Sequence, residues 1–537
     1  MSIVSGWSDG YVTDTLYSDN IFREQSPAWI NYVATLMGCA PRPLDGAFSY
    51  LELGCGLGYS TTVFAAAFPK ARFVAVDFNP AHIDHAQRRA QALGLDNITF
   101  IEASFQDLAA DPAGQGLARH LGQFDFVTLH GIYSWISVEA RQAIQRLIFD
   151  RLLPGGLVYN SYNCLPGWSI EGPLQRLMKE FSDTASGAST ARIRTALDQM
   201  KALGATKAGY FRAAPQAAAA LDLYAKKPAN YLAHEFLNGE WNAFYAADVA
   251  DEMAAAKLDF VGSATLMENH SDLLLGDEGL ALVNQQPDLR QRQLVQDFLI
   301  NQKFRRDIFV RGHARLEANE IALNRSRQIL VAAKSLATVS PKLKVPRGVV
   351  NIDPAKFKHL VAAIGSWAGT EADMAAAFAK LSGAAADFPR LISIMTAAGH
   401  LLPAAMVPAR PAAGQKSAAG NVARQAMPAP VNRNALASAL TRKTRVTLVS
   451  EVHGNAVIHS LNEGLLMDEL LQSGGSVTDL TGRVLARMTA LGMRLAKNGT
   501  AITDPAAVKE ELKAMVENFA ANDIPALTRL GVLTPAP

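Results

Sequence analysis

The stretch Tyr50-Leu-Glu-Leu-Gly-Cys-Gly-Leu-Gly58 constrains this chain most: an apolar strand signal runs directly into a loop of three glycines. A helix signal, Ser60 to Phe68, follows at once. Glycine enters left-handed backbone angles without steric cost, so the loop can turn sharply and let a ligand approach the main chain. The N-terminus of the next helix aims N–H groups at the same spot. Four more short strands are predicted at Ala71 to Val76, Ile98 to Ile101, Phe124 to Leu129 and Leu157 to Tyr162. Helices are predicted at Pro80 to Leu93 and at Val138 to Leu153, the latter stopped by Pro154-Gly155-Gly156. A short helix, Pro27 to Met37, precedes them all. Strand and helix alternating in this way builds a parallel sheet. Phe126-Val-Thr-Leu129 is largely apolar on both faces, as a strand covered by helices on each side must be.

A glycine loop alone does not choose a ligand, because dinucleotide-binding folds use a similar turn. Here the third glycine, Gly58, falls one residue early for that fingerprint and Tyr59 takes its place. Glu52 stands just before the loop, where it would repel a pyrophosphate but not a sulfonium-bearing amino acid. Gly54, Cys55, Gly56 and Gly58 are the candidate main-chain contacts. Asp77 ends the second strand, where a carboxylate can accept ribose hydroxyls or cap the helix after Asn79-Pro80. Phe78 can cover one face of an adenine, with Ser104 and Phe105 after the third strand as the other wall.

Ligands of open parallel sheets lie outside the carboxyl ends of the strands. His130 and Gly131 therefore face the ligand, and Tyr133 and Trp135 either shape a slot for a cation or cover the sheet end. His130 is a base or a structural hydrogen-bonder. Tyr162 and Asn163 lie at the tip of the fifth strand. Cys164 is a poor nucleophile candidate, since no histidine is tied to it by spacing. His234-Glu235 begins like a zinc-protease motif but continues Phe-Leu-Asn238, so no metal site is expected.

The 537 residues exceed one compact core, and five segments are expected. Residues 1–168 form the ligand-binding domain with an N-terminal lid, 169–315 a helical insert and mixed middle domain, and 316–406 a helical domain. An Ala/Pro/Gly-rich linker at 407–430 precedes a small C-terminal domain at 431–537. Alanine-rich helices are predicted at Arg192 to Leu203, Arg212 to Ala225 and within Phe357 to Leu402, and a strand at Val446 to Ser450. A formal charge of only +2, with no polybasic run, argues against nucleic acid as the partner. No run of ~18 apolar residues suggests membrane insertion. Three widely spaced cysteines and no signal peptide suit a reducing cytoplasm.

Glu52 to Gly58, Asp77 and the strand order resemble the class I S-adenosylmethionine-dependent methyltransferases. Gly10-Tyr-Val-Thr-Asp-Thr-Leu-Tyr-Ser18, Leu129 to Ser137 and Tyr159 to Trp168 narrow the resemblance, together with Tyr231 to Asn238, Lys257 to Ser263 and Phe304 to Gly312. These are similar to the bacterial branch that carries a methyltransferase regulatory domain, which includes protein-lysine methyltransferases of rickettsial outer-membrane proteins. The resemblance covers most of the chain up to Gly312. Its Asn-Cys-Leu-Pro, at residues 163–166, departs from the Asn-Thr-x-Pro common in relatives.

That resemblance implies an α/β, Rossmann-like doubly wound sheet followed by mixed and mainly α-helical additional domains. It implies S-adenosyl-L-methionine as cofactor, S-adenosyl-L-homocysteine as product, and Tyr11 and Tyr17 folding over the ligand. The expected activity is methylation of lysine in a protein substrate, with Tyr133, Trp135 and Tyr162 forming the acceptor slot and Tyr17 closing it. A homodimer is compatible with this expectation. A small-molecule methyltransferase is the alternative, ahead of an NAD-dependent oxidoreductase or a non-catalytic S-adenosylmethionine-binding protein.

Overall fold

Seven strands form one sheet in the computed structural model: β1 (Ser49–Leu53), β2 (Arg72–Asp77), β3 (Ile98–Glu102), β4 (Phe124–Leu129), β5 (Leu152–Asn163), β6 (Leu258–Ser263) and β7 (Phe304–Arg311). The structure describes all residues except 1–7, 9, 17–19, 313–315, 333–335, 337–338, 366–367, 384–385, 408–424, 475–476, 478, 498–499 and 536–537. The strand order is β3-β2-β1-β4-β5-β7-β6. β1 to β5 pair in parallel, whereas β7 lies antiparallel to both β5 and β6. Helices α1 (Pro27–Leu36), α2 (Tyr59–Ala67), α3 (Pro80–Leu93), α4 (Phe105–Ala109) and α5 (Val138–Arg151) supply the crossovers and cover.

The apolar strand faces sort into two cores. Tyr50, Phe73, Phe126, Leu157 and Tyr159 pack on one side of the sheet, and Leu51, Val74, Val127, Val158 and Tyr162 on the other. Cap chemistry fixes the helix starts: Asn79 accepts from Ala81 N, and Ser137 from Ala140 N. β5 begins five residues earlier than the sequence suggests. Its register with β4 shifts between Phe124 and Phe126, which absorbs Pro154-Gly155-Gly156 inside the strand.

The chain leaves the sheet after β5 for helices Gly172–Thr184, Ser189–Ala205, Gly209–Ala213, Pro215–Ala225 and Ala229–Phe236. They enclose their own core of Met178, Ile193, Leu197, Leu232 and Phe236. The single helix expected over Arg212 to Ala225 is two, because Pro215 starts a new one. The chain then returns to add β6 and β7 to the same sheet. Residues on both sides of the expected boundary at 168 thus share one sheet.

Beyond β7, helices Pro354–Ile364, Glu371–Ser382 and Phe388–Ala397 flank a short sheet centred on Ile329–Val331. Most of the expected linker, 408–424, lies outside the described residues. Gln425–Ala426 pairs with Thr534–Pro535, and the hairpin Val446–Ser450 with Asn455–His459 packs against α2. Among the described residues no helix is long and apolar enough to cross a membrane.

One buried polar network holds β7 to its neighbours. The Arg305 guanidinium donates to Asp297 at 2.6 Å, Asp307 at 2.9 Å and Gln293 at 2.7 Å. The Tyr162 hydroxyl donates to Asp307 at 2.5 Å. Removing the cation leaves two carboxylates buried without their charge partner. Arg305→Leu should destabilise the protein by roughly 3–5 kcal/mol in denaturant titration. A loss under about 1 kcal/mol would show that Asp297 and Asp307 tolerate its absence.

Candidate active site

Each glycine of the loop is needed for a different reason. All three have left-handed φ, +74° at Gly54, +52° at Gly56 and +70° at Gly58. A Cβ on Gly54 would sit 2.2 Å from the Ile132 Cδ1, and one on Gly58 2.7 Å from the Ala86 Cβ. A Cβ on Gly56 would meet nothing within 4 Å. Gly54 and Gly58 therefore let the loop close against its neighbours, whereas Gly56 borders open space. Tyr59, the residue that breaks the dinucleotide fingerprint, turns away to lie under Arg89, whose guanidinium carbon is 3.9 Å from the ring centroid.

Two buried carboxylates flank the loop. Asp77 accepts from Gly56 N at 2.8 Å and Asn79 N at 2.9 Å, with His82 Nδ1 at 3.2 Å. Glu52 accepts from Gln25 Nε2 at 3.1 Å and from the Thr61 hydroxyl. Burial, aided by the Asp77 charge, pushes the Glu52 carboxyl up to about 8. Gln25 Oε1 is buried beside it and has no hydrogen-bond partner among the described residues. Cys55 is buried between these groups, and its thiol is raised for the same reasons.

The N-terminal segment bridges the loop to the middle region. Tyr11 meets Phe78 edge-on at 5.8 Å and the His234 ring at 5.7 Å. His234 Nε2 lies 2.9 Å from the Thr15 carbonyl, and Val12 N donates to Asn238. Tyr17 lies outside the described residues. Ser104 caps α4 by accepting from Asp107 N, and Phe105 is half-buried behind it.

At the end of β4, His130 is stacked under Phe22 with centroids 3.5 Å apart, and Phe304 stands 5.9 Å away. His130 Nδ1 meets the Tyr159 hydroxyl at 2.7 Å, and Gly131 N donates to Ser161 at 3.0 Å. Burial and the Arg306 charge push the imidazole down to about 3, so it is neutral.

Alternation along β5 separates the sequence candidates. Tyr159, Ser161 and Asn163 share the face of His130, while Asn160 and Tyr162 face the opposite core. Tyr133 and Tyr162 are fully buried on that core side. Their hydroxyls are bound to Glu252 and Asp307. The expected slot of Tyr133, Trp135 and Tyr162 is therefore not assembled, because two of its walls belong to the core. Trp135 remains half-buried and donates its indole N–H to the Glu235 carbonyl at 3.2 Å. Sequence reasoning missed Thr61 and His82 on the helices that follow β1 and β2, and Gln25, Phe22 and Phe304, which reach the site from distant segments.

Residues 51–158 match the family described as a methyltransferase domain, and 228–311 the family described as a predicted methyltransferase regulatory domain. The uncharacterized protein sll1526 of Synechocystis sp. is 33% identical over 530 residues, 98% of this chain and 99% of its own. The chain belongs to the class I methyltransferases that carry a methyltransferase regulatory domain. The uncharacterized protein RP789 of Rickettsia prowazekii is 28% identical over 312 residues, 56% of this chain and 53% of its own. The structure of PKMT2 from Rickettsia typhi in complex with AdoHcy shares the fold at a TM-score of 0.69. It is 17% identical, covering 96% of this chain and 99% of that one.

The methyl donor of this methyltransferase is S-adenosylmethionine, and the residues around the loop fit it. Open space lies over Gly56, and Asp77 and Glu52 flank the loop with carboxyl groups that can accept hydrogen bonds. Because the folded-state pKa of Glu52 lies above its ordinary value, the neutral carboxyl is the form the fold favours. Its contribution is whole below the ordinary carboxyl range and is lost as pH rises through about 8. Glu52→Gln, neutral at every pH, should therefore melt above the wild type at about pH 9 and match it at about pH 4. Thermal melts in which this gap does not grow with pH would contradict the assignment.

Proposed function

We propose that this methyltransferase N-methylates lysine side chains of a protein substrate. The observation that carries the reading is the half-buried aromatic cluster of Phe22, His130 and Phe304 beside Gly131 at the carboxyl edge of the sheet. Aromatic faces attract an approaching ammonium. The amine, with a solution pKa near ~10.4, must lose its proton before it attacks. An apolar slot disfavours the charged form and lowers that cost. The rickettsial neighbour, named as a PKMT, supports the protein-lysine reading, as does the broad surface offered by the additional domains.

S-adenosylmethionine, when bound, supplies the methyl group. Glu52 would hold its amino group, Asp77 its ribose, and Gly54, Cys55, Gly56 and Gly58 its main-chain side. Phe78, Ser104 and Phe105 would wall the adenine, with Tyr11 covering it. His130 and Gly131 would border the methyl group. The chain's own task is alignment, since an in-line displacement rewards a held geometry. In this reading Tyr133 and Tyr162 stiffen the floor rather than touch the acceptor. Trp135 ties the loop after β4 to the helix Ala229–Phe236. The three cysteines are free and buried, which suits the reducing cytoplasm where such a substrate would be met.

A second reading, transfer to a small molecule or, as an ester, to a carrier-bound acid, draws on relatives of the cofactor domain. A malonyl-[acyl-carrier protein] O-methyltransferase of Anoxybacillus flavithermus is 30% identical over 112 residues, 21% of this chain. The two readings separate when purified enzyme and methyl-tritiated S-adenosylmethionine are added to a size-fractionated cell lysate. Label should enter the protein fraction, resist alkali and appear as methyllysine after acid hydrolysis. Label confined to low-mass material, or released by alkali as an ester would be, would overturn the lysine reading. Asp77→Ala should weaken S-adenosylhomocysteine binding by roughly 10- to 100-fold in calorimetry, about what losing a hydrogen bond to a charged group costs.

A further inference from the structure

One carboxylate reaches the proposed acceptor side from outside the cofactor domain. Glu235 lies on the helix Ala229–Phe236, next to His234, which holds the N-terminal segment over Phe78. Its carbonyl accepts the Trp135 indole, which ties it to the loop after β4. Its carboxylate accepts from Asn163 Nδ2 at 3.5 Å. Asn163 is itself fixed on both main-chain sides, its N–H donating to the Ser134 hydroxyl at 2.8 Å and its carbonyl accepting from Phe244 N at 2.9 Å. In the β5–β7 pairing Asn163 stands opposite Phe304, a wall of the aromatic cluster. Asn163 thus links the Glu235 carboxylate to the strand pair that carries Phe304.

The other titratable groups nearby are committed or unsuited. Lys303 Nζ binds Glu171 at 2.6 Å and lies 4.3 Å from the Trp168 ring centroid. Glu171 also takes the Tyr224 hydroxyl. His234 is spent on the Thr15 carbonyl, and Tyr231 hydrogen-bonds Glu235 itself. His130 is neutral and bound to Tyr159, and Glu52 is enclosed by Gln25 and Thr61.

We propose that Glu235 is the base that takes the proton from the acceptor ammonium before methyl transfer, an inference that rests on the amine reading above. The N–H bond breaks, its electron pair stays on nitrogen, and the proton ends on a Glu235 carboxylate oxygen. That pair then forms the N–C bond while the S–C pair departs with sulfur. Burial raises the Glu235 carboxyl to about 7, with Glu171 adding to the rise and Asn163, Tyr231 and Lys303 opposing it. A base poised there is matched to a neutral working pH.

The test is the pH dependence of kcat/KM for the lysate protein band that the wild type labels most strongly, read as methyllysine. The wild-type profile should rise through a limb near pH 7. Glu235→Gln should lose that limb and fall roughly 100-fold or more in kcat, while S-adenosylhomocysteine binding in calorimetry is unchanged. Glu235→Asp, which keeps a carboxylate, should restore part of the rate and the limb. If the wild type forms methyllysine and Glu235→Gln keeps both rate and limb, Glu235 is not the base and the lysine reading stands. If Glu235→Gln loses S-adenosylhomocysteine binding as well, or Glu235→Asp recovers nothing, the residue is structural and the proposal falls. If the wild type forms no methyllysine, the amine reading fails and takes the base with it.

Discussion

Strand β5 is the constraint on which the site depends. It is bound in parallel to β4 on one edge and antiparallel to β7 on the other, so its register is set twice over. A shift of one residue would exchange its faces, bringing Tyr162 to the site and sending Ser161 and Asn163 into the core. The buried Arg305 network makes that exchange expensive. Tyr162 is held by Asp307, which Arg305 holds in turn. A polar network on the core face thus fixes which polar groups appear on the other. The middle region earns its place in the fold by supplying β7, and with it both Arg305 and Phe304.

The cofactor loop poses a different problem, two carboxylates in one buried volume. Asp77 is met by two main-chain N–H groups and His82. Among the described residues Glu52 has only neutral donors, Gln25 and Thr61. Desolvation without a cation is what drives its carboxyl upward. A ligand that brings positive charge offsets that cost, and one that brings a pyrophosphate adds to it. The same imbalance that burdens the fold therefore selects among ligands.

How much of this was legible in the sequence depends on how far apart the partners lie. The glycine loop, Asp77 and the helix from Pro80 to Leu93 are local patterns, and the fold follows them closely. The parallel order of the first five strands follows from their alternation with helices. The antiparallel strands were not legible, because β7 returns to β5 only after well over a hundred intervening residues, most of them helical. The acceptor side suffered most. Tyr133 and Tyr162 looked functional as hydroxyl-bearing aromatics near strand ends, but strand parity turns Tyr162 inward and Tyr133 is buried from the short turn Tyr133–Trp135 after β4. Phe304 opened a motif that carried the resemblance but gave no sign of a site role, since nothing local shows that it will stand opposite Asn163. His234-Glu235 did attract notice as half of a metal motif. Its second half was missing because the pair's partners are a Thr15 carbonyl and an asparagine amide from other segments.

The C-terminal region bears on the loop through the same long-range logic. Gln25 belongs to a three-residue turn, Arg23–Gln25, too short to hold its own conformation. The turn is pinned from outside: the Ser26 hydroxyl donates to the Gly454 carbonyl at 2.7 Å, and Asn455 Nδ2 to the Arg23 carbonyl at 2.9 Å. Gly454 is left-handed, and a Cβ there would lie 2.5 Å from the Phe68 Cζ, so the hairpin tip sits hard against the end of α2. Phe22, whose ring stacks on His130, is anchored by its N–H to Ser60 on the same helix. The donor to Glu52 and the ring over His130 therefore stand on one short segment, clamped between α2 and a hairpin some 430 residues away in the chain. One clamp thus positions both the donor to Glu52 and the ring over His130, and the C-terminal hairpin forms one side of it.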